Sequence, residues 1–264
     1  MIVDLTDKRV AITAGGAGIG RVAAERFADA GARVAVCDVE EAALADCREH
    51  EPRMLVVKAD VADPRQVDHF YDEIGRHLGG LDVLINNAGI SGPTKRVEDI
   101  TDEEWNRTLA VNITGQFYMA RGAVPLLKAQ RSGVIINISS VAGRLGMPLR
   151  APYSTTKYAV RGLTDVLAVE LGEFNIRVNA ILPGLIDGPR GRRVMTEQAS
   201  SRGLSFEQYL PSVLHNISMH TMIGMDEIAD MALFLASDSG RHITGQSISV
   251  CGNFETYRAP LQNS

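Results

Sequence analysis

With 264 residues, 45% of them hydrophobic and 22% charged, the chain suits a soluble globular protein with a sizeable core, as one large domain or two small ones. A net charge of −5, with no basic cluster longer than Arg190, Arg192 and Arg193, argues against nucleic acid as a partner. No apolar run approaches the roughly 18 residues of a membrane helix, and Asp4, Asp7, Lys8 and Arg9 interrupt the first residues too early for a signal peptide.

Short β-branched runs alternate with longer amphipathic segments. A strand over 9–14 leads into a helix over 18–31, then a strand over 32–38 and a polar helix over 40–50. A strand over 54–60 follows, and a helix over 64–78 opens with Pro64 at its first position. The strand over 81–89 precedes a long helical stretch, 101–130, which starts at a Thr101/Glu104 capping box and is interrupted by Gly115, Gly122 and Pro125. A strand over 132–140, a helix over 152–172 and a strand over 176–184 come next. A helix over 226–237 and a strand over 245–250 close the series. Apolar strands in βαβ order predict one α/β domain, a Rossmann-type doubly wound parallel sheet of about seven strands with helices on both faces. No linker or composition shift divides residues 1–264. Residues 185–225, rich in Gly, Arg, Ser and Met, are too long for an ordinary connection and are expected to be an irregular lid or binding loop.

The stretch TAGGAGIG (13–20) lies between the first strand and the first helix. Its glycines let a backbone approach a pyrophosphate at a helix N-terminus, although a glycine cluster by itself also suits a tight turn. Asp38 ends the second strand 18 residues past Gly20, where an acid accepts hydrogen bonds from an adenosine ribose and repels a 2′-phosphate. No lysine or arginine lies at 14–20 or directly after Asp38, and Arg21 is just inside the helix, so NAD is favoured over NADP. Cys37, Cys47 and Cys251 are odd in number and lack CxxC spacing, which fits reduced thiols of a cytoplasmic protein. The histidines show no ligand spacing, and no metal is expected.

Together these segments resemble the short-chain dehydrogenase/reductase family from about residue 6 to residue 252. TAGGAGIG is similar to the family's TGxxxGxG loop through Thr13, Gly18, Ile19 and Gly20, with Gly15 inside the loop. Ala14 replaces the usual first glycine, and its methyl group requires a backbone of negative φ. Asp60-Val61 resembles the Asp-Val that implies an adenine contact. Asn86-Asn87-Ala88-Gly89 is the family's NNAG, implying sheet support and a cofactor-lining role. Asn112 matches the asparagine that holds a proton-relay water. Ser140 stands thirteen residues before Tyr153, the family's usual spacing, which Ser139 misses by one. Tyr153 and Lys157 fit YxxxK, and Pro183-Gly184 the turn bordering the nicotinamide.

The resemblance implies a hydride transfer between nicotinamide and a secondary alcohol or ketone. Tyr153 would be the general acid/base, Lys157 would lower its pKa and bind the ribose, Ser140 would orient the substrate oxygen, and Asn112 would hold the water. Asp187 and Gly188 stand where the family often has a threonine for the carboxamide, leaving the backbone of Ile186 to serve. Arg144, Arg150 and Arg190 are candidate substrate ligands for an anionic, hydroxy-acid-like group, or else solvated or intersubunit residues. Met147, Leu149, Met195, Met219, Met222 and Met225 suggest an otherwise apolar pocket or interface. The family is commonly tetrameric, so a homotetramer is expected, with the tail 254–264 extending toward a neighbour. An NADP-dependent ketone reductase and a non-catalytic dinucleotide-binding regulator are the competing functions. A sugar-nucleotide epimerase needs a larger C-terminal region.

Overall fold

The computed structural model describes residues 3–254, so all but the first residue of the tail 254–264 lies outside the described residues. Seven strands form one parallel sheet in the order β3-β2-β1-β4-β5-β6-β7. They are β1 (Arg9–Thr13), β2 (Arg33–Asp38), β3 (Leu55–Lys58), β4 (Val83–Asn86), β5 (Gly133–Ile138), β6 (Ile176–Pro183) and β7 (Ser247–Val250). The helices in chain order are α1 (Gly18–Asp29), α2 (Glu41–His50), α3 (Pro64–Leu78), α4 (Asp102–Leu109), α5 (Gly115–Gln130), α6 (Ala151–Leu171), α7 (Pro189–Ser200), α8 (Phe206–Leu214) and α9 (Met225–Ala236).

Side-chain alternation along the strands divides the core into two layers. Val10, Ile12, Val34, Val36 and Ile85 pack against Ala23, Ala24 and Phe27 of α1 and Ile228, Ala229 and Ala232 of α9. Ala11, Ala35, Leu84, Ile135 and Val178 face the other way, against Phe70 and Ile74 of α3, Met119 and Leu127 of α5, and Leu171 of α6. A sheet covered on both faces has no polar face, which is why its strands read as continuous apolar runs.

Local signals hold at the helix starts. Asp63 caps α3, accepting the Arg65 N–H at 3.0 Å ahead of Pro64. Thr101 and Glu104 close their capping box on α4. The stretch 101–130 breaks at a π-helical turn, Ala110–Thr114, while Pro125 lies inside α5 without ending it. The expectation of an irregular segment at 185–225 is corrected, because it contains α7 and α8. α8 starts at a Ser205/Gln208 capping box. α7 buries only Met195 and Ala199, and α8 buries no residue, so neither has the broad apolar stripe of a helix packed on a sheet.

The chain runs from β1 to β2 and β3 on one side, then returns to place β4 on the other. The carboxyl ends of β1 and β4 therefore border a crevice. Hydrogen bonds fix its edges. The Thr13 hydroxyl accepts the N–H groups of Asn87 and Ala88 at 2.9 and 2.8 Å. Asn87 Nδ2 donates back to the carbonyls of Thr13 and Ala14 at 3.1 and 3.2 Å. Ala14 takes φ 51°, not the negative φ expected of it. The left-handed conformation costs an alanine about 1–2 kcal/mol, offset here by the bonds that aim the Ala14 carbonyl at Asn87. The same carbonyl leaves no room at Gly20, where a Cβ would lie 2.1 Å from it. Thr13→Val keeps the shape but leaves the buried Ala88 N–H without an acceptor, while the Asn87 N–H keeps the Ile85 carbonyl at 3.1 Å. Urea unfolding should show a loss of about 1–3 kcal/mol; an unchanged midpoint would mean the clamp contributes nothing.

Candidate active site

A cavity of about 800 Å³ opens at the carboxyl ends of the strands and runs beneath α7 and α8. A smaller cleft of about 410 Å³, at the opposite ends of the strands beside Leu5, Asp82 and Arg177, contains none of the motif residues. At one end of the large cavity α1 begins with Ala17 at its cap position, no capping side chain and no acid in its first turn. Its N–H groups and positive dipole end thus face the cavity beside Gly18, which has φ +58°, and Ile19. Asp38 lies at the edge of this region. Its Oδ2 accepts the Gly16 N–H at 3.1 Å, and its Oδ1 accepts those of Val39 and Glu40 at 2.7 and 3.2 Å. A Cβ on Gly16 would sit 3.1 Å from Asp38 Oδ2 and 3.0 Å from the Ala43 methyl, so the loop hugs the carboxylate. Asp38 and Glu40 are the acids of the cavity lining. Arg21 is turned away, donating to Glu25 at 2.6 Å. An uncapped helix N-terminus followed by a fixed carboxylate fits a dinucleotide: pyrophosphate on the first, ribose on the second.

Midway along the cavity, α6 presents Tyr153 and, one turn on, Lys157. Lys157 is 3% exposed, and its Nζ donates to the Ile138 carbonyl at the end of β5 at 2.8 Å. It lies 5.8 Å from the centre of the Tyr153 ring. Ser139 is committed, donating to the Lys157 carbonyl at 2.8 Å. Ser140 is the serine that bonds Tyr153, and its Oγ also accepts the Ala142 N–H at 3.1 Å. Burial pushes the Tyr153 phenol up. The charges of Lys157 and Arg190, the Ser140 hydrogen bond and the charge of Arg150 together outweigh it, and the net shift is downward. Burial draws the Lys157 ammonium down to about 8, with Tyr153 opposing and Arg190 reinforcing the shift.

Of the residues singled out from sequence, Gly18, Ile19, Asp38, Asn87, Gly89, Ser140, Tyr153, Lys157, Pro183, Gly184 and Ile186 line this cavity, with Arg150 and Arg190. Thr13, Gly15, Gly20, Asp60, Val61, Ala88 and Asn112 do not line it. Gly15 is there for packing, since a Cβ would fall 2.6 Å from Val36. Asp60 spends one carboxylate oxygen on the Ala62 N–H and the other on Arg107. Asn112 uses its whole amide. Its oxygen accepts the Ile90 N–H at 2.7 Å, and its Nδ2 donates to the Ile90 carbonyl and to Thr156 Oγ1. Arg144 does not line the cavity and reaches β7, donating to the Ser247 carbonyl at 2.6 Å. Asp187 pairs with Arg192 at 2.7 Å. Met147, Leu149, Met195 and Met225 line the cavity, whereas Met219 is 70% exposed.

Gln198, Arg202, Tyr209 and Asn216, from α7, α8 and their flanks, also line it. Nothing in their spacing marks them, because the turn between α7 and α8 is what brings them together. Cys37, Cys47 and Cys251 are free and buried. No helix among the described residues is long and apolar enough to cross a membrane, and no group of three or more His, Cys, Asp or Glu side chains among them could hold a metal ion. The shifts have a spectroscopic consequence. On titration, a tyrosinate absorbance should appear below pH 10, the ordinary phenol value, be absent in Tyr153→Phe and move upward in Lys157→Met. A first tyrosinate step that survives in Tyr153→Phe would contradict the assignment.

Comparison with known proteins gives a consistent picture. A family model described as Enoyl-(Acyl carrier protein) reductase matches residues 13–254. A probable galactose dehydrogenase, GalD, of Rhizobium meliloti (strain 1021) is 38% identical over 254 residues, covering 94% of this chain and 95% of the relative. Among solved structures, NAD+-bound xylitol dehydrogenase superposes with a TM-score of 0.88 at 30% identity, covering 94% of this chain and 98% of that one. An actinorhodin polyketide ketoreductase variant with NADPH gives 0.90 at 28% identity, covering 95% and 98%.

Proposed function

The chain belongs to the short-chain dehydrogenase/reductase family, and on that premise we propose that it is an NAD-dependent oxidoreductase of secondary alcohols and ketones. The observation that carries this reading is the placing of the Tyr153 phenol in the cavity with buried Lys157 5.8 Å from its ring centre and Ser140 in the same wall. Bound NAD supplies the acceptor, and NADH the donor, of the hydride.

The chain's own residues handle the proton. Tyr153 as phenolate takes the proton of the substrate hydroxyl while the hydride leaves the same carbon, and in the reverse direction it returns that proton to the carbonyl oxygen. Lys157 and Arg190 stabilise the phenolate by charge. Ser140 holds the substrate oxygen against Tyr153. Lys157 would also hold the ribose of the bound nicotinamide nucleotide. The relay water belongs at the π-helical turn carrying Asn112, held there by backbone, since the Asn112 side chain is committed to Ile90 and Thr156. Asp38 is the basis of the preference for NAD. A 2′-phosphate would meet its carboxylate and that of Glu40, with no cation in the lining at that end to receive it. The segment 185–225 serves as the substrate lid, its two helices roofing the cavity.

The test is kinetic and uses a panel of secondary alcohols, read as NADH absorbance. The protein should reduce NAD+ in preference to NADP+, and Asp38→Ala should narrow that preference at least tenfold, about 1.4 kcal/mol. Tyr153→Phe should lose about 10²–10⁴ in kcat while binding NADH as before. Full turnover by Tyr153→Phe would refute the mechanism, and NADH binding without any turnover by the unaltered protein would favour the regulator.

We also propose a homotetramer. Tyr158, Val166 and Val169 lie on one face of α6 and are 45%, 54% and 84% exposed, and Phe117 of α5 is 45% exposed. Apolar surface of this kind fits a subunit interface. Sedimentation at micromolar concentration should give four chains per particle, and a monomer would contradict it.

A further inference from the structure

Arg150 is the only buried arginine among the described residues. It is 4% exposed and lines the cavity. Its guanidinium lies 4.8 Å from the centre of the Tyr153 ring, and its Nη2 donates to the Ser91 carbonyl at 2.9 Å. Its Nε is buried with no partner, and no carboxylate among the described residues pairs with it. Two other partly buried arginines are satisfied by contrast. Arg9 is paired with Asp82 at 2.7 Å, and Arg177 donates to three carbonyls at the end of α9. A buried guanidinium that lacks an acid is costly unless something supplies the countercharge.

Arg190, in the first turn of α7, enters the same space from the roof. Its Nη1 donates to the Gly89 carbonyl at 2.7 Å, and no acid among the described residues pairs with it. Both arginines act on Tyr153, and Arg190 also acts on Lys157. Of the groups that favour the Arg150 charge, the Tyr153 phenol comes first, and Glu197 acts from a distance while paired with Arg193 at 3.2 Å. Asp38 and Glu40 lie at the nucleotide end. The substrate end thus combines Arg150, Arg190 and Arg202 with apolar and neutral polar walls.

We infer that Arg150 and Arg190 form a carboxylate-binding subsite, and that the substrate is a 2- or 3-hydroxy acid, aldonic acids included, or the matching oxo acid. The guanidinium fork offers a carboxylate the planar, two-point partner it prefers. Its place against the Tyr153 ring puts that carboxylate within a few bonds of the carbon whose oxygen meets the phenol. The assignment rests on the oxidoreductase reading above and names the substrate class for the same site.

The experiment compares hydroxy acids of three to six carbons, including aldonic acids, with their primary amides, which match them in shape but carry no charge. With NAD+, the acids should be preferred by about 10² in kcat/KM, and Arg190→Ala and Arg150→Met should each lower the acid-to-amide ratio at least tenfold. Effects on Tyr153 common to both series cancel in that ratio, so loss of phenol activation alone does not imitate the result. Calorimetry of the same acids and amides with the NADH complex gives a reading independent of turnover: binding of an acid but not of its amide, abolished by Arg190→Ala. If neutral alcohols and amides are oxidised as well as acids and the ratio is unmoved, the carboxylate subsite falls and the oxidoreductase stands. If no compound is oxidised, the oxidoreductase reading falls, and the calorimetry still decides: no preference for acid over amide overturns the subsite.

Discussion

A buried ammonium is the constraint on which the rest of the site depends. Lys157 sits in a nearly dry wall, and a charge there persists only if neighbouring groups are arranged to hold it. Its amine is tied to the Ile138 carbonyl at the end of β5, its own carbonyl takes the Ser139 hydroxyl, and Gly143 has no space for a side chain because that carbonyl is so near. The turn of α6 that carries Tyr153 and Lys157 is therefore fixed to the sheet on one side. On the other, Thr156 joins it to Asn112, and Asn112 joins it to Ile90 just beyond β4. The phenol's position follows from these bonds more than from its own contacts.

Much of this was legible in the sequence, and the parts that were not share a physical reason. The strands and most helices are marked by periodicity and caps, since their apolar faces must meet one sheet. Asp63, Thr101 and Glu104 behave as local chemistry dictates. α7 and α8 were missed because they bury almost nothing against that sheet. Ala14 was misjudged because its left-handed φ is imposed by a partner 73 positions away, the Asn87 side chain. Motif membership also differs from contact with the cavity. Thr13, Gly20 and Asn112 fit the family pattern, yet they support the cavity without lining it. Arg144 and Arg150 looked equivalent in the sequence, and only the fold sends one to β7 and leaves the other beneath Tyr153.

The cavity is also electrically polarised. Its acids, Asp38 and Glu40, stand at the end of β2, and its cations gather around Tyr153 and beneath α7. That division comes from topology: the acids belong to the strand on one side of the switch point, the arginines to loops and helices from the other half of the chain. A low-dielectric crevice between them lets each group act on its neighbours with little screening.

The scarcity of buried side chains in α7 and α8 has a consequence for how such a protein diverges. Because these helices add little to the core, substitutions along their inner surface cost the fold little, while the Thr13–Asn87 clamp and the Lys157 wall admit almost no variation. Drift in the roof therefore changes which molecule is admitted while leaving the chemistry beneath it intact, so relatives on this scaffold can trade one alcohol for another without rebuilding the machine.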